Sequence, residues 1–350
     1  MQSRPTMSPT HAAPPRQALP RHDPAMLGQD VVLLLLDQFT MMAFAAAIEP
    51  LRLANQVAGR TLFRWQLISE NGTHARASNG CEFAVAGGLG DVPKDALILV
   101  CGGIDVQRAT TPAILSWLRK RARHGNALGG LCTGAWTLAR AGLLDGYRAT
   151  IHWQNHNAVI EQFPEVDLTK SVFVMHGRRL TSAGGTAPLD LMLTLIAETQ
   201  GADLAHSVAD QLVYSAIRTN RDSQRLSIPA RIGVRHPKLA QVITIMESHI
   251  EDPISPADLA EQVGMSTRQL ERLFRRYLNR SPKRYYMELR LEHARNLLMQ
   301  TDMSVINVAL ATGFTSPSHF SKCYRAHYSR TPYRERGAHG PREAEPEPEA

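Results

Sequence analysis

Ser255-Pro256-Ala257-Asp258-Leu259-Ala260-Glu261-Gln262-Val263-Gly264-Met265-Ser266 is the stretch whose reading decides the architecture of the C-terminal half. A serine followed by proline is a helix start: the hydroxyl accepts from a first-turn N–H, and proline lacks only a donor that has no partner there. Leu259, Ala260 and Val263 then line one face, and Gly264 ends the helix where a sharp turn needs a positive φ. Ser266 opens a second helix with Leu270, Leu273 and Phe274 inward and Thr267, Arg268, Glu271, Arg272 and Arg275 outward. Two short helices across a glycine turn, the second carrying three outward arginines, read as a helix-turn-helix unit with a major-groove reader. For this motif alone, a helical hairpin with a solvated charged face is the alternative.

The pattern recurs. Residues 304–314 repeat the apolar spacing and end on Gly313-Phe314, and residues 315–325 supply a second reading helix with Phe320 and Tyr324 inward. Between the two units, 282–301 reads as one long amphipathic helix through Tyr286, Leu289, Leu291, Ala294, Leu297 and Leu298. Two reading heads on a stiff spacer address two successive major-groove faces of one duplex. From Lys238 to Arg336 there are 15 Lys and Arg against 10 Asp and Glu. The segment 218–235 adds five arginines and one acid, with Pro229 and Gly233 interrupting any helix, and reads as an exposed linker. The whole chain of 350 residues carries +7, so the basic excess is segregated into this half, as nucleic-acid binding requires.

Upstream the period changes. From about 30 to 219, short apolar runs at 31–36, 63–69, 96–101, 127–131, 171–176 and 180–182 alternate with helical periods at 40–56, 112–124, 134–141, 154–162, 187–198 and 201–213. This is the pattern of an α/β domain whose parallel sheet has helices on both faces, in the flavodoxin-like manner. The expected organisation is a disordered arm at 1–27, a ligand-sensing domain at 28–219, a linker at 220–237, a double helix-turn-helix domain at 238–336 and a disordered acidic tail at 337–350. The most apolar run, 31–36, falls far short of the roughly 20 residues that span a bilayer. No apolar segment of a secretory signal precedes Gly28. Cys81, Cys101, Cys132 and Cys323 match neither a disulfide framework nor a metal knuckle, so a cytoplasmic protein without metal or cofactor is expected.

Residues 127–136, Ala-Leu-Gly-Gly-Leu-Cys-Thr-Gly-Ala-Trp, place Cys132 between small residues where a strand hands over to a helix. That is a nucleophile-elbow arrangement, in which the helix N-terminus is expected to lower the thiol pKa. His152 is the candidate base and Glu49 a candidate hydrogen-bond partner. Three readings of Cys132 stay open: a retained nucleophile, a buried or redox-reactive thiol, and a pocket-lining residue in a domain that senses a small molecule. Phe44, Glu49, Gly103, Cys132, Thr133, His152, Trp153 and Thr186 are expected to share one crevice at the carboxyl ends of the strands. A carboxylate beside aromatic faces suits a cationic or quaternary amine, and the helix N-terminus a carboxylate, so the expected effector is a zwitterion such as an amino acid or a betaine.

Residues 238–336 resemble the AraC/XylS-type DNA-binding domain through Ala309 to Gly313-Phe314, Ser318-His319-Phe320-Ser321, Tyr324-Arg325 and Thr331-Pro332. The resemblance implies base-facing positions at Arg268, Glu271 and Arg272 and at Pro317, Ser318, Ser321 and Lys322. Proline has no hydrogen-bond donor to offer a base. The N-terminal half resembles the PfpI/ThiJ and class I amidotransferase-like fold, and the whole is similar to GlxA-type regulators. The residues that carry this are Asp37-Gln38-Phe39, residues 49–55, Cys101-Gly102-Gly103, Cys132, His152-Trp153 and residues 182–190. In peptidase-like members of that fold a histidine follows the elbow cysteine; here Thr133 stands there. The resemblance implies a sequence-specific, ligand-responsive transcriptional activator of arginine, carnitine or betaine catabolic genes. Its expected partners are promoter DNA, RNA polymerase, a small-molecule effector and a second copy of the chain, and no membrane. The rival reading is a cysteine-dependent amidase or hydrolase with an appended DNA-binding domain.

Overall fold

The computed structural model describes residues 28–225, 228–234, 236–301 and 303–337; the arm at 1–27 and all of the tail after Gly337 lie outside these residues. The first half contains strands β1 (Asp30–Leu35), β2 (Arg64–Ile68), β3 (His74–Arg76), β4 (Glu82–Ala84), β5 (Leu97–Cys101), β6 (Ala127–Leu131), β7 (Arg148–Thr150), β8 (Asp167–Thr169), β9 (Phe173–His176) and β10 (Arg179–Ser182). Its helices are α1 (Met41–Ala58), α2 (Val106–Ala109), α3 (Pro112–Arg123), α4 (Gly134–Arg140), α5 (His156–Gln162), α6 (Ala187–Gln200) and α7 (Ala202–Gln211). A 3-10 turn at Trp153–Asn155 leads into α5.

The main sheet has the order β2-β1-β5-β6-β10-β9, with the first five parallel and β9 antiparallel at the edge. Taken alone, the parallel strands follow the flavodoxin-like order, whose ligand crevice lies beyond their carboxyl ends where the chain reverses direction across the sheet. Strand periodicity explains why β1 reads as an unbroken apolar run. Val31, Leu33 and Leu35 enter the core under α1, α6 and α7, whereas Val32, Leu34 and Leu36 enter the opposite core under α3 and α4. The short strands β3, β4, β7 and β8 form two small ladders that carry too few apolar residues to stand out in the sequence.

The second half is helical: α8 (Ile228–Ile232), α9 (Pro237–Ser248), α10 (Pro256–Gln262), α11 (Thr267–Leu278), α12 (Pro282–Gln300), α13 (Val305–Ala311), α14 (Pro317–Tyr328) and α15 (Pro332–Gly337). Leu239, Val242, Leu259, Leu270, Phe274 and Tyr286 build one core. Leu291, Ala294, Leu298, Val308, Phe320 and Tyr324 build another. Helix α12 feeds both, its first half into one and its second into the other.

The segment expected as an exposed linker is instead tied down. Gln224 Nε2 donates to Thr150 Oγ1, to the Ile151 carbonyl and to the Ser171 carbonyl. The Arg225 guanidinium lies 4.5 Å over the Trp153 ring, and Arg231 grips Glu247 of α9 with both terminal nitrogens. No helix among the described residues is long and apolar enough to cross a membrane.

Candidate ligand cavity and DNA-reading helices

Strand β6 and helix α4 meet at Cys132, whose φ of 58° puts a side-chain-bearing residue in the left-handed region. Such a conformation costs about 1–2 kcal/mol and persists because its surroundings hold it. Cys132 N–H donates to the Ser182 carbonyl at 3.1 Å, and the His152 N–H reaches the Cys132 carbonyl at 3.4 Å. The small neighbours have a measurable reason: a Cβ on Gly134 would lie 2.0 Å from the Val100 carbonyl oxygen. A Cβ on Gly184 would lie 2.6 Å from His152 Cδ2 and 2.9 Å from Cys132 Sγ, so that glycine keeps open the point where thiol and imidazole face each other.

The electrostatics differ from those of an activated nucleophile. Burial pushes the Cys132 thiol up, a push only partly offset by Thr40 Oγ1, 3.7 Å from the sulfur, and by the Thr133 backbone. Burial also lowers the His152 pKa, so both groups are neutral near pH 7. The expected lowering of the thiol pKa by the helix N-terminus is thus reversed, because α4 is only seven residues long and the sulfur is shut away from water. Thr133, where the peptidase-like pattern has histidine, turns its hydroxyl to the Gly103 carbonyl at 2.8 Å and offers the thiol no base.

Cys132, Thr133, His152 and Gly103 line one cavity of about 680 Å³, together with Thr40 and Gly185. Asp105 and Arg108 sit on the same wall, and neither makes an ion pair among the described residues. Four residues expected there are elsewhere. Phe44 is core, edge-on to Phe39 and Phe83 at 5.6 Å from each. Glu49 lies on the exposed side of α1, held by Arg52 Nε at 2.8 Å. Thr186 is exposed and accepts from Arg218 Nη2, while Trp153 faces a second cavity beneath Arg225. An aromatic box around a carboxylate is therefore not what this cavity offers: its charged lining residues are Asp105, Arg108 and Arg336, and His152 is its one ring among the lining residues. Thr40, Asp105 and Arg108 were missed by sequence reasoning; Thr40, directly after the Asp37-Gln38-Phe39 run, was the one with a nearby signal.

The helix-turn-helix units follow from their caps and turns. Ser255 accepts from Asp258 N–H, and Ser266 and Gln269 close a reciprocal capping box at the start of α11. Gly264 and Gly313 both take positive φ, 63° and 73°. Thr267, Arg268, Glu271, Arg272 and Arg275 are all exposed on α11. The three arginines make no ion pair among the described residues, which leaves their guanidinium groups free for a polyanion. On α14, Pro317, Ser318 and Lys322 are exposed and Ser321 is half-buried, while Phe320 and Tyr324 are buried. Helix α12, 19 residues and about 28 Å long, packs against both α11 and α14.

Residues 29–198 match the DJ-1/PfpI family, and residues 259–338 match a helix-turn-helix domain. The chain is 45% identical over 308 residues to the HTH-type transcriptional regulator GbdR of Pseudomonas aeruginosa, covering 88% of this chain and 84% of that one. With the HTH-type transcriptional regulator CdhR of Pseudomonas aeruginosa it shares 47% over 310 residues, 89% of this chain and 92% of the relative. With the HTH-type transcriptional regulator GlxA of Rhizobium meliloti the figures are 39% over 305 residues, 87% and 94%. Relatives that span both halves set aside a hydrolase with an incidental DNA-binding appendage. The chain belongs to the GlxA-type family of transcriptional regulators, which join a DJ-1/PfpI domain to an AraC-type helix-turn-helix domain.

Proposed function

We propose that this regulator is an activator whose sensor domain, residues 28–219, binds a small zwitterion, an amino acid or a betaine, in the cavity at Cys132. It acts as a cytoplasmic homodimer that brings RNA polymerase to catabolic promoters, with Arg268, Arg272, Ser318 and Lys322 among its base-reading residues. One observation carries the effector class: the carboxylate of Asp105 and the guanidinium of Arg108 face the same 680 Å³ space without partners of their own. That volume suits a small ligand, and the two opposite charges match an ammonium and a carboxylate. Neutral Cys132 and neutral His152 act as shape and hydrogen-bonding groups rather than as nucleophile and base, and no turnover is expected.

Thermal shift of the full-length protein against amino acids, glycine betaine, carnitine and polyamines tests this, since a ligand that binds only the folded state raises Tm by mass action. The expected result is a selective shift from one zwitterion that disappears in Asp105→Asn or His152→Ala. A protein that binds DNA specifically and shifts with none of them would refute the effector class. Sedimentation that finds a monomer at micromolar concentration, with and without DNA, would refute the dimer.

A further inference from the structure

The cavity at Cys132 is not closed by the sensor domain. Its remaining wall is the end of α12, Leu298 to Thr301, together with Arg336 from α15. Both elements belong to the DNA-binding half. Gln107 of α2 donates its side-chain amide to the Gln300 backbone carbonyl and ties this wall to the sensor domain. Two polar atoms of the same wall residues, Gln300 Oε1 and Arg336 Nε, are buried with no hydrogen-bond partner among the described residues. An orphaned amide oxygen and an orphaned guanidinium N–H are each costly in a folded chain. Both residues line the open cavity, and rotation of either side chain would bring its unpartnered atom to the cavity surface as an acceptor or a charged donor for a polar molecule, while Arg336 Nη2 stays on the Met303 carbonyl.

We infer that the effector is bound by both domains at once, with Gln300 and Arg336 of the DNA-binding half as ligand-contacting residues that complete the site. The inference rests on the cavity being the effector site and adds the partner wall. The observations extend past the roof. The segment 152–157 stands between two cavities: His152 and Gln154 face the Cys132 cavity, while Trp153 and Asn157 face a second, of about 450 Å³, against Leu289 and His293 of α12. Asn157 Nδ2 lies 2.8 Å from His293 Nδ1, and Arg225, stacked on Trp153, lies 3.7 Å from Glu247 of α9. Since α12 carries the cores of both helix-turn-helix units, a ligand that grips Gln300 also sets where that helix rests against the sensor domain. Effector affinity and the arrangement of the reading helices are then linked, because the ligand binds an open arrangement with fewer contacts than a closed one.

The test uses the full-length protein in two measurements. Isothermal titration with glycine betaine, L-carnitine and L-arginine is run on the native protein and on Gln300→Ala, Arg336→Lys and a control on the far side of the same domain, Glu261→Ala. Alkylation of Cys132 by iodoacetamide, followed on its peptide by mass spectrometry, is run on the native protein and on Gln107→Ala/Met299→Ala, which loosens the wall without entering either reading helix. Expected are a tenfold or greater loss of affinity in Gln300→Ala and Arg336→Lys, none in Glu261→Ala, and at least fivefold faster alkylation once the wall is loosened. Unchanged alkylation together with unchanged affinities would overturn the shared site and leave the effector reading standing. Faster alkylation with no binding of any of the three compounds would overturn the effector class and leave the shared wall standing.

Discussion

Replacing Arg218 with alanine strands a buried carboxylate, and the structure sets the size of the effect. Asp190, on α6, has no solvent exposure. It accepts from the Arg218 backbone N–H at 2.7 Å and from its Nε at 2.9 Å, lies 2.6 Å from Arg218 Nη2, and accepts from Tyr214 Oη at 2.9 Å. Arg218→Ala removes both guanidinium contacts and leaves a full negative charge with two neutral donors. Breaking one partner of a buried pair costs about 3–5 kcal/mol, which for a domain of this size lowers Tm by about 6–20 °C. Calorimetry of the native and variant proteins should find that deficit. Arg218→Lys, which keeps a charge but loses the fork, should fall between. A deficit under about 1 kcal/mol would refute the reading that Arg218 is what compensates the buried Asp190 carboxylate.

Arg272→Ala should weaken binding to a selected operator by about 1–3 kcal/mol and relax preference at one base pair if its guanidinium grips a guanine edge. Anisotropy titrations on operator variants decide this, and an equal loss on every sequence would make Arg272 a phosphate contact. Gly184→Ala should cost at least tenfold in effector affinity, because the new methyl would press within 3 Å of both His152 and Cys132; calorimetric titration of a bound effector checks it, and retained affinity would place the ligand elsewhere. His293, pushed down to about 4 by burial, is depressed below the unfolded value of 6.5. Its contribution to stability is present above pH 6.5 and is lost as pH falls toward 4, so native Tm should drop across that window more steeply than the Tm of His293→Gln.

Local signals were legible and distant ones were not. The run 31–36 announces a strand with two covered faces because every side chain, whichever way it points, meets a core. The glycines at 264 and 313 announce their turns because few other residues accept a φ near 63° or 73°. The elbow at Cys132 and its neighbours Thr133, Gly103 and His152 were found the same way. Glu49 was misplaced because a carboxylate on an amphipathic helix carries no mark of which turn it faces, and its partner Arg52 is a surface contact of ordinary spacing. The linker misled for a related reason: five arginines with a proline and a glycine look solvated until Glu247, Trp153 and the carbonyls of β7 and its surroundings are brought under them. Contacts such as Asn157 with His293 join polar residues 136 positions apart and leave no periodicity to read.

The elbow itself bears on why Cys132 is poorly suited to react. A catalytic cysteine needs a thiolate, and therefore a positive neighbour, an accessible sulfur and a base. Cys132 keeps the strained backbone at φ 58° and loses each of the others: the sulfur is buried, Thr133 is committed to the Gly103 carbonyl, and His152 is held neutral. The strain that elsewhere aims a nucleophile here aims a small, uncharged group into a cavity whose charged lining residues are Asp105, Arg108 and Arg336. On the proposed function, a neutral thiol among these charged lining residues would hold a zwitterion by its charges and leave its bonds alone. On the inference that the DNA-binding half completes the site, such binding would set the position of α12, which packs against both α11 and α14.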